Sequence, residues 1–258
     1  MLSCKIVLLV VNLFAVALSL QYVTQERSLK NLFKNKLGIV NGKNTTIESH
    51  PYQCSVIYYG SFFCSCVILN QNWVLTLADC IYNSSPEYYQ IQVGSNSSSF
   101  GGSLYFVDEF EIHPDYNVES RDYSLGLIKL NGYLTFSNSV QKINMATKDL
   151  KKGKKVVISG WGESKFGNTF QDLTLKTVSH DDCEYVYEEY GYEVTDSMIC
   201  AKANNAGPCF NDFGDPLVNR NKLYALFSWC FNCGDNNFPG VFISVPECLD
   251  WIKETIND

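Results

Sequence analysis

From Ile39 to about Val245 the chain repeats one pattern. Apolar or alternating runs, among them CSVIYY (54–59), FFCSCVILN (62–70), WVLTL (73–77), SLGLIKL (124–130), KVVISGW (155–161) and LYALFSW (223–229), are separated by turns rich in Gly, Asn, Asp and Pro. Runs of that length and spacing predict short antiparallel strands in a barrel or sandwich. Only the end has a helical period: after Pro246, which is expected in the first turn, Leu249, Ile252 and Ile256 fall on one face. One C-terminal helix docked on the β domain is therefore expected. No internal repeat is visible, and no Gly-rich phosphate loop follows a strand.

The first residues follow a different pattern. MLSCKIVLLVVNLFAVALSL places Lys5 before an apolar run and ends near Ala17-Leu18-Ser19, a small-x-small site, which reads as a secretory signal peptide over 1–19. Nothing later approaches ~20 consecutive apolar residues, so no membrane anchor is expected. Residues 20–38 are polar, basic and weakly periodic, as in a short pro-segment, and residues 39–258 form the main domain.

Composition narrows the function. With 46% apolar and 14% aromatic residues the chain has ample material for a core. Residues 39–258 hold 15 Lys and Arg against 26 Asp and Glu, a net charge of −11, which opposes nucleic-acid binding. One basic run, Lys151-Lys152-Gly153-Lys154-Lys155, reads as a solvated loop. Eleven cysteines point to an oxidising compartment and a disulfide framework. The sequons at Asn44, Asn83 and Asn96 are candidate N-glycosylation sites and point the same way. A secreted, extracellular protein is expected.

Several motifs then fall in one order: Ile39-Val40-Asn41-Gly42, Pro51-Tyr-Gln, Cys64, Trp73-Val-Leu-Thr-Leu-Ala-Asp79-Cys80, Gly160-Trp-Gly162, Met198-Ile-Cys200-Ala, Cys209 to Leu217, Ser228-Trp229, Pro239-Gly-Val-Phe and Trp251-Ile-Lys. This ordered set, spanning residues 39–258, resembles the chymotrypsin/trypsin-like serine proteases. The resemblance implies an all-β fold of two packed antiparallel six-stranded β-barrels, the site between them and a C-terminal α-helix. The mechanism of that family needs a Ser nucleophile, a His base, an orienting Asp and backbone N–H groups for the oxyanion.

Here the matching positions differ. The family's T-A-A-H-C block stands as Thr76-Leu77-Ala78-Asp79-Cys80, putting Asp79 where the base belongs; an acid of reference pKa ~3.9 is a poor base at neutral pH. Ser124 stands at the orienting Asp, with Asp122 two residues upstream, expected ~7 Å away along a strand. Phe213 stands at the nucleophile, Asn211 at the oxyanion Gly, Gly207 at the selectivity residue and Cys230 at a Gly that lets substrate approach. None of His50, His113 and His180 aligns with the base. Asp212, which in the family pairs with the amine freed at Ile39, is kept, but Leu37-Gly38 precedes Ile39, so a tryptic activator would not cut at that bond.

The resemblance also pairs Cys64 with Cys80, Cys183 with Cys200 and Cys209 with Cys233. A fourth bridge follows from local geometry: strands meeting around Gly60 bring Cys54 opposite Cys66. Cys230 and Cys248 remain unassigned. Cys230-Phe-Asn-Cys233 has C-x-x-C spacing, but no second pair or suitably spaced His accompanies it, so no metal and no cofactor is expected.

The economical reading is a pseudoprotease that binds proteins. Within the wider family the chain looks closest to the scabies mite inactivated serine protease paralogues, a group 3 mite allergen-like set with substituted triads. That resemblance implies host secreted proteins as partners, complement components such as C1q, mannose-binding lectin or properdin, and a monomer that inhibits complement without catalysis. Two rivals stand beside it: an Asp79-centred hydrolase, and a decoy holding protease inhibitors or substrates. Tyrosines in Cys183–Tyr192 are candidate contacts or local packing over the adjacent disulfide.

Overall fold

The computed structural model describes residues 38–162 and 169–257. The expected signal peptide, and all of the expected pro-segment except Gly38, lie outside the described residues. The strands in chain order are β1 (Lys43–Asn44), β2 (Gln53–Tyr58), β3 (Ser61–Ile68), β4 (Trp73–Thr76), β5 (Tyr89–Val93), β6 (Ser103–Ile112), β7 (Gly126–Leu130), β8 (Asn144–Met145), β9 (Lys155–Gly160), β10 (Gln171–Val178), β11 (Met198–Lys202), β12 (Pro216–Asn219), β13 (Lys222–Trp229) and β14 (Gly240–Ser244). The helices are α1 (His180–Glu188) and α2 (Leu249–Asn257).

Strand alternation explains the architecture. One closed barrel runs β2-β3-β4-β7-β6-β5. The second runs β9-β10-β11-β14-β13-β12 and is closed by antiparallel pairing of β12 with β9. β1 adds to β10, and β8 pairs in parallel with β13. Both sets are six-stranded, and closure leaves no exposed sheet edge within each ring. Val56, Val67, Leu75, Ile91 and Leu127 are buried on the strands of the first barrel, and Ile158, Leu175, Leu217, Ala225 and Phe242 on those of the second.

The β2–β3 hairpin shows how register is set. Gln53 opposes Val67, Cys54 opposes Cys66 and Val56 opposes Cys64, after which a bulge shifts Ile57 onto Phe62. The Cys54–Cys66 bridge lies on the unshifted side with Cα atoms 4.8 Å apart. Cys64–Cys80, Cys183–Cys200 and Cys209–Cys233 are also joined. Cys248 is buried, and burial pushes its thiol up to about 12.

Two local expectations are corrected. The end is not the only helical segment: α1 spans nine residues, begun by a Ser179 side chain that caps the Asp182 N–H. Cys183 and Tyr187, four apart, form its buried face. The alternating Glu and Tyr residues mask that spacing, which is why the segment reads as a loop in one dimension. Tyr187 is accordingly no surface contact. It is wholly buried, its hydroxyl donates to the Pro239 carbonyl, and its ring lies 4.7 Å from Trp229. At the C-terminus, Pro246 lies in the turn before α2 rather than in its first helical turn, and the Leu249 N–H donates to the Pro246 carbonyl.

Side chains and backbone join the barrels directly. Gln53 Nε2 donates to the Ser159 carbonyl (2.7 Å) and Ser159 Oγ donates to Gln53 Oε1 (2.6 Å), both buried. The Ser65 N–H donates to the Phe213 carbonyl at 2.8 Å.

Tyr187→Ala should lower stability by about 3–5 kcal/mol, because it opens a large cavity under α1. Chemical denaturation with a two-state fit measures this; a loss under about 1 kcal/mol would contradict the packing role.

Candidate functional site

The chain segment after β4 turns sharply at Ala78–Cys80 and presents Asp79 at the barrel rim. Its Oδ2 accepts a short hydrogen bond from Ser124 Oγ, and its Oδ1 accepts from Tyr116 Oη at 3.0 Å. Arg121 Nε stands 3.9 Å from Oδ1. Two of the residues placed by resemblance therefore do meet, with Ser124 as donor and Asp79 as acceptor. Burial and the neighbouring Asp79 charge together push the Tyr116 hydroxyl well above its ordinary value, so it stays a donor.

Asp122 does not join this group. The strand begins only at Gly126, so Ser124 and Asp122 lie on the loop entering β7 and not on a strand as expected. In that loop Arg121 and Tyr123 take positive φ values of 60° and 49°. The turn aims Asp122 at the second barrel, where its Oδ1 accepts from Thr195 Oγ1 and Ser197 Oγ, both at 2.5 Å.

The segment before β12 carries the remaining positions. Asn211 adopts φ 73°, a left-handed conformation that Asn tolerates better than most residues. The Phe213 ring is half-buried and stacks on Phe227, with centroids 6.1 Å apart and planes within 7°. Gly207 is buried and exchanges backbone hydrogen bonds with Val40. Cys230 is half-buried, with Sγ 3.7 Å from the Pro208 carbonyl and 3.9 Å from Cys233 Sγ. Beside it opens a hollow of about 640 Å³, bordered by Arg121, Tyr192, Phe210, Trp229 and Phe231.

Beneath this segment two carboxyls are wholly buried. Asp212 Oδ2 accepts from the Cys209 N–H at 2.7 Å, and Asp215 Oδ1 accepts from Gln53 Nε2 at 3.2 Å. Asp212 Oδ1 and Asp215 Oδ2 find no hydrogen-bond partner among the described residues. Burial raises both carboxyls well above their ordinary range, and the Asp212 charge raises Asp215 further. Asp215 fits only because β9 carries a glycine there: a Cβ on Gly160 would lie 1.8 Å from Asp215 Oδ2. Ile39 is buried, and a Cβ on Gly162 would run into both Gly38 and Asp212 Oδ1, so the Gly38–Ile39 segment lies beside Asp212.

The three histidines serve elsewhere. His50 contacts Tyr52 and Asp172, His113 stacks on Tyr123, and His180 approaches Asp196. Asn44, Asn83 and Asn96 are all exposed, Asn96 Oδ1 also accepting from the Ile47 N–H. Among the described residues no helix is long and apolar enough to cross a membrane.

Comparison with known proteins identifies the frame. The sequence profile of the Trypsin family matches residues 39–252. The chain belongs to the trypsin family. It is 33% identical over 225 residues to trypsin epsilon of Drosophila erecta, covering 85% of this chain and 88% of that protein. It is 34% identical over 219 residues to trypsin delta of Drosophila melanogaster, covering 83% and 87%. The solved structure of neuropsin, a serine protease expressed in the limbic system of mouse brain, superposes with a TM-score of 0.76 at 30% identity. It covers 84% of this chain and 99% of that one.

In this trypsin-family chain, sequence reasoning singled out Asp79, Ser124 and Phe213 but not Tyr116 and Arg121, which complete the shell around Asp79. Their distance along the chain hides them. Asp215 was not singled out in the sequence, and its burial beside Asp212 appears only in three dimensions.

The raised carboxyls fix a sign. Their protonated forms suit the interior, so their stabilising contribution is complete below the unfolded value near 4 and is lost as pH rises through the folded values. Asp215→Asn should therefore raise Tm at pH 7, and by much less at pH 4. Melting curves at both pH values test this; a gain that is equal at both, or absent at pH 7, would contradict it.

Proposed function

We propose that this protein is a secreted, catalytically inactive member of the trypsin family that acts by binding proteins, complement components among them, and so restrains complement. The observation that carries the reading is Phe213. At the position of the family's nucleophile stands a phenyl ring, stacked on Phe227, and a phenyl ring cannot attack a carbonyl. The carboxylate of Asp79, at the position of the base, is already occupied by the Ser124 and Tyr116 hydroxyls. Removing the corresponding groups from an active protease of this mechanism costs ~10⁶ in turnover.

The surroundings suit recognition. Tyr190, Tyr192, Phe210 and Phe231 are exposed around the 640 Å³ hollow, with Arg121 at its rim. Exposed Tyr and Arg beside a depression are the residue types that dominate binding at protein interfaces. The net charge of −11 over residues 39–258 favours partners with basic surfaces. Four disulfides support an extracellular setting.

A second reading has one observation in its favour: the relatives just described are named trypsins. Proteolysis is therefore the outcome to test against.

The purified secreted protein should hydrolyse no member of a broad peptide library and should not be labelled by a serine-directed fluorophosphonate. Hydrolysis abolished by Asp79→Asn would overturn the inactive reading in favour of a rebuilt site. In complement-mediated haemolysis the protein should inhibit in a dose-dependent way, with a complement component recovered on pull-down. Tyr192→Ala with Phe231→Ala should weaken that binding by about 1–3 kcal/mol. No inhibition and no recovered component would overturn the complement assignment while leaving the catalytic conclusion standing.

A further inference from the structure

The basic run of residues 151–155 is not an isolated solvated loop. Its last member, Lys155, is the first residue of β9, and there it stands directly opposite Lys176 on β10. Lys176 in turn stands directly opposite Lys202 on β11. Register partners on antiparallel strands share a face, so three ammonium-bearing side chains form a row across three adjacent strands. Neighbouring strands are ~4.8 Å apart, and the row therefore extends ~10 Å at its base. All three lysines are exposed and none makes an ion pair among the described residues. Lys202 Nζ donates only to the Asn236 carbonyl, at 3.3 Å.

Like charges directly opposite one another in a sheet are destabilising, and here two such pairs share the central Lys176. The arrangement stands out on a domain of net charge −11. The three lysines line a hollow of about 910 Å³ between the sheet and α1, which Lys152, Asp181, Asp182 and Tyr185 also border. Lys152 is paired with Asp182, so it limits the acidic influence of the helix start on the row. Tyr185 is exposed and offers the hollow a flat apolar ring face.

We propose that this row is a binding site for a sulfated polysaccharide of the glycosaminoglycan class. A linear polymer carrying anionic groups at regular intervals can neutralise the three ammonium groups together and relieve their mutual repulsion. A sugar ring can lay its C–H face on Tyr185. A folded acidic protein fits less well, because a partner burying ~800 Å² of this surface would also cover the acidic side chains of α1. A slender chain can follow the row while covering less of α1, whose Asp181 and Asp182 border the hollow. The three lysines are none of the candidate site positions discussed above, and the site does not depend on the absence of catalysis.

The test uses the full secreted protein and a size-defined heparin oligosaccharide, with binding followed by calorimetry at several salt concentrations. Wild-type protein should bind with an affinity that falls as salt rises. The triple variant Lys155→Gln/Lys176→Gln/Lys202→Gln should lose about tenfold or more. A charge-matched control, Lys142→Gln/Lys148→Gln/Lys253→Gln, should bind as wild type does. Without ligand, Lys176→Gln alone should raise Tm by about 2 °C, which also shows that the row can be altered without unfolding the chain. Any of four results would overturn the proposal: no heparin binding, equal losses in the two triple variants, equal binding of desulfated heparin or single-stranded DNA, or tighter binding of a polyglutamate peptide.

Discussion

Two carboxyl groups held away from water beneath the Asn211–Phe213 segment constrain the rest of this structure. Asp212 and Asp215 are wholly buried, and one oxygen of each lacks a hydrogen-bond partner among the described residues. A buried ionised carboxylate without compensation is costly, and proteins respond by neutralising it. Everything around the pair is arranged to limit that cost. Gly160 leaves room for Asp215, Gln53 donates to it across the barrel seam, and the Cys209 N–H donates to Asp212. The same Gln53 is locked to Ser159, so the polar contacts that satisfy the acids also join the barrels.

This arrangement bears on function. The Asn211–Phe213 segment carries a phenyl ring stacked on Phe227 and is backed by an acid pair that burial pushes toward the neutral form. On the other barrel, Asp79 has acquired three neighbours, Ser124, Tyr116 and Arg121, that hold it in place. Asp79, Ser124, Tyr116 and Arg121 thus form one connected polar group at the rim of the first barrel. Under the proposed binding reading, the surface of the double barrel is where function resides. That surface is not uniform. It has an aromatic rim around Tyr192 and Phe231 beside Cys230, and a lysine row on the second barrel.

The helix α1 shows the same principle at the level of packing. Its Tyr and Glu residues read as surface, yet Tyr187 is driven inside because its hydroxyl can reach the Pro239 carbonyl while its ring covers Trp229. A buried tyrosine is tolerated when both ends are satisfied.

Alternation of apolar residues between Gly and Asn turns was enough to predict strands, and the order of motifs from Ile39 to Trp251 was enough to expect the barrels. Both are local or one-dimensional properties. The Cys54–Cys66 pairing was legible because a hairpin makes register a matter of counting from its turn. Asp79, Ser124 and Phe213 stood out in the sequence as single letters within recognisable blocks. What the side chains at those positions touch was decided by tertiary structure. The Tyr116 and Arg121 contacts to Asp79, the turn of Asp122 toward Thr195 and Ser197, the Gln53 contact to Asp215 and the lysine row all join residues far apart in sequence. Side-chain chemistry is written along the chain, but charge, burial and hydrogen bonding depend on neighbours that only the closed barrels bring together.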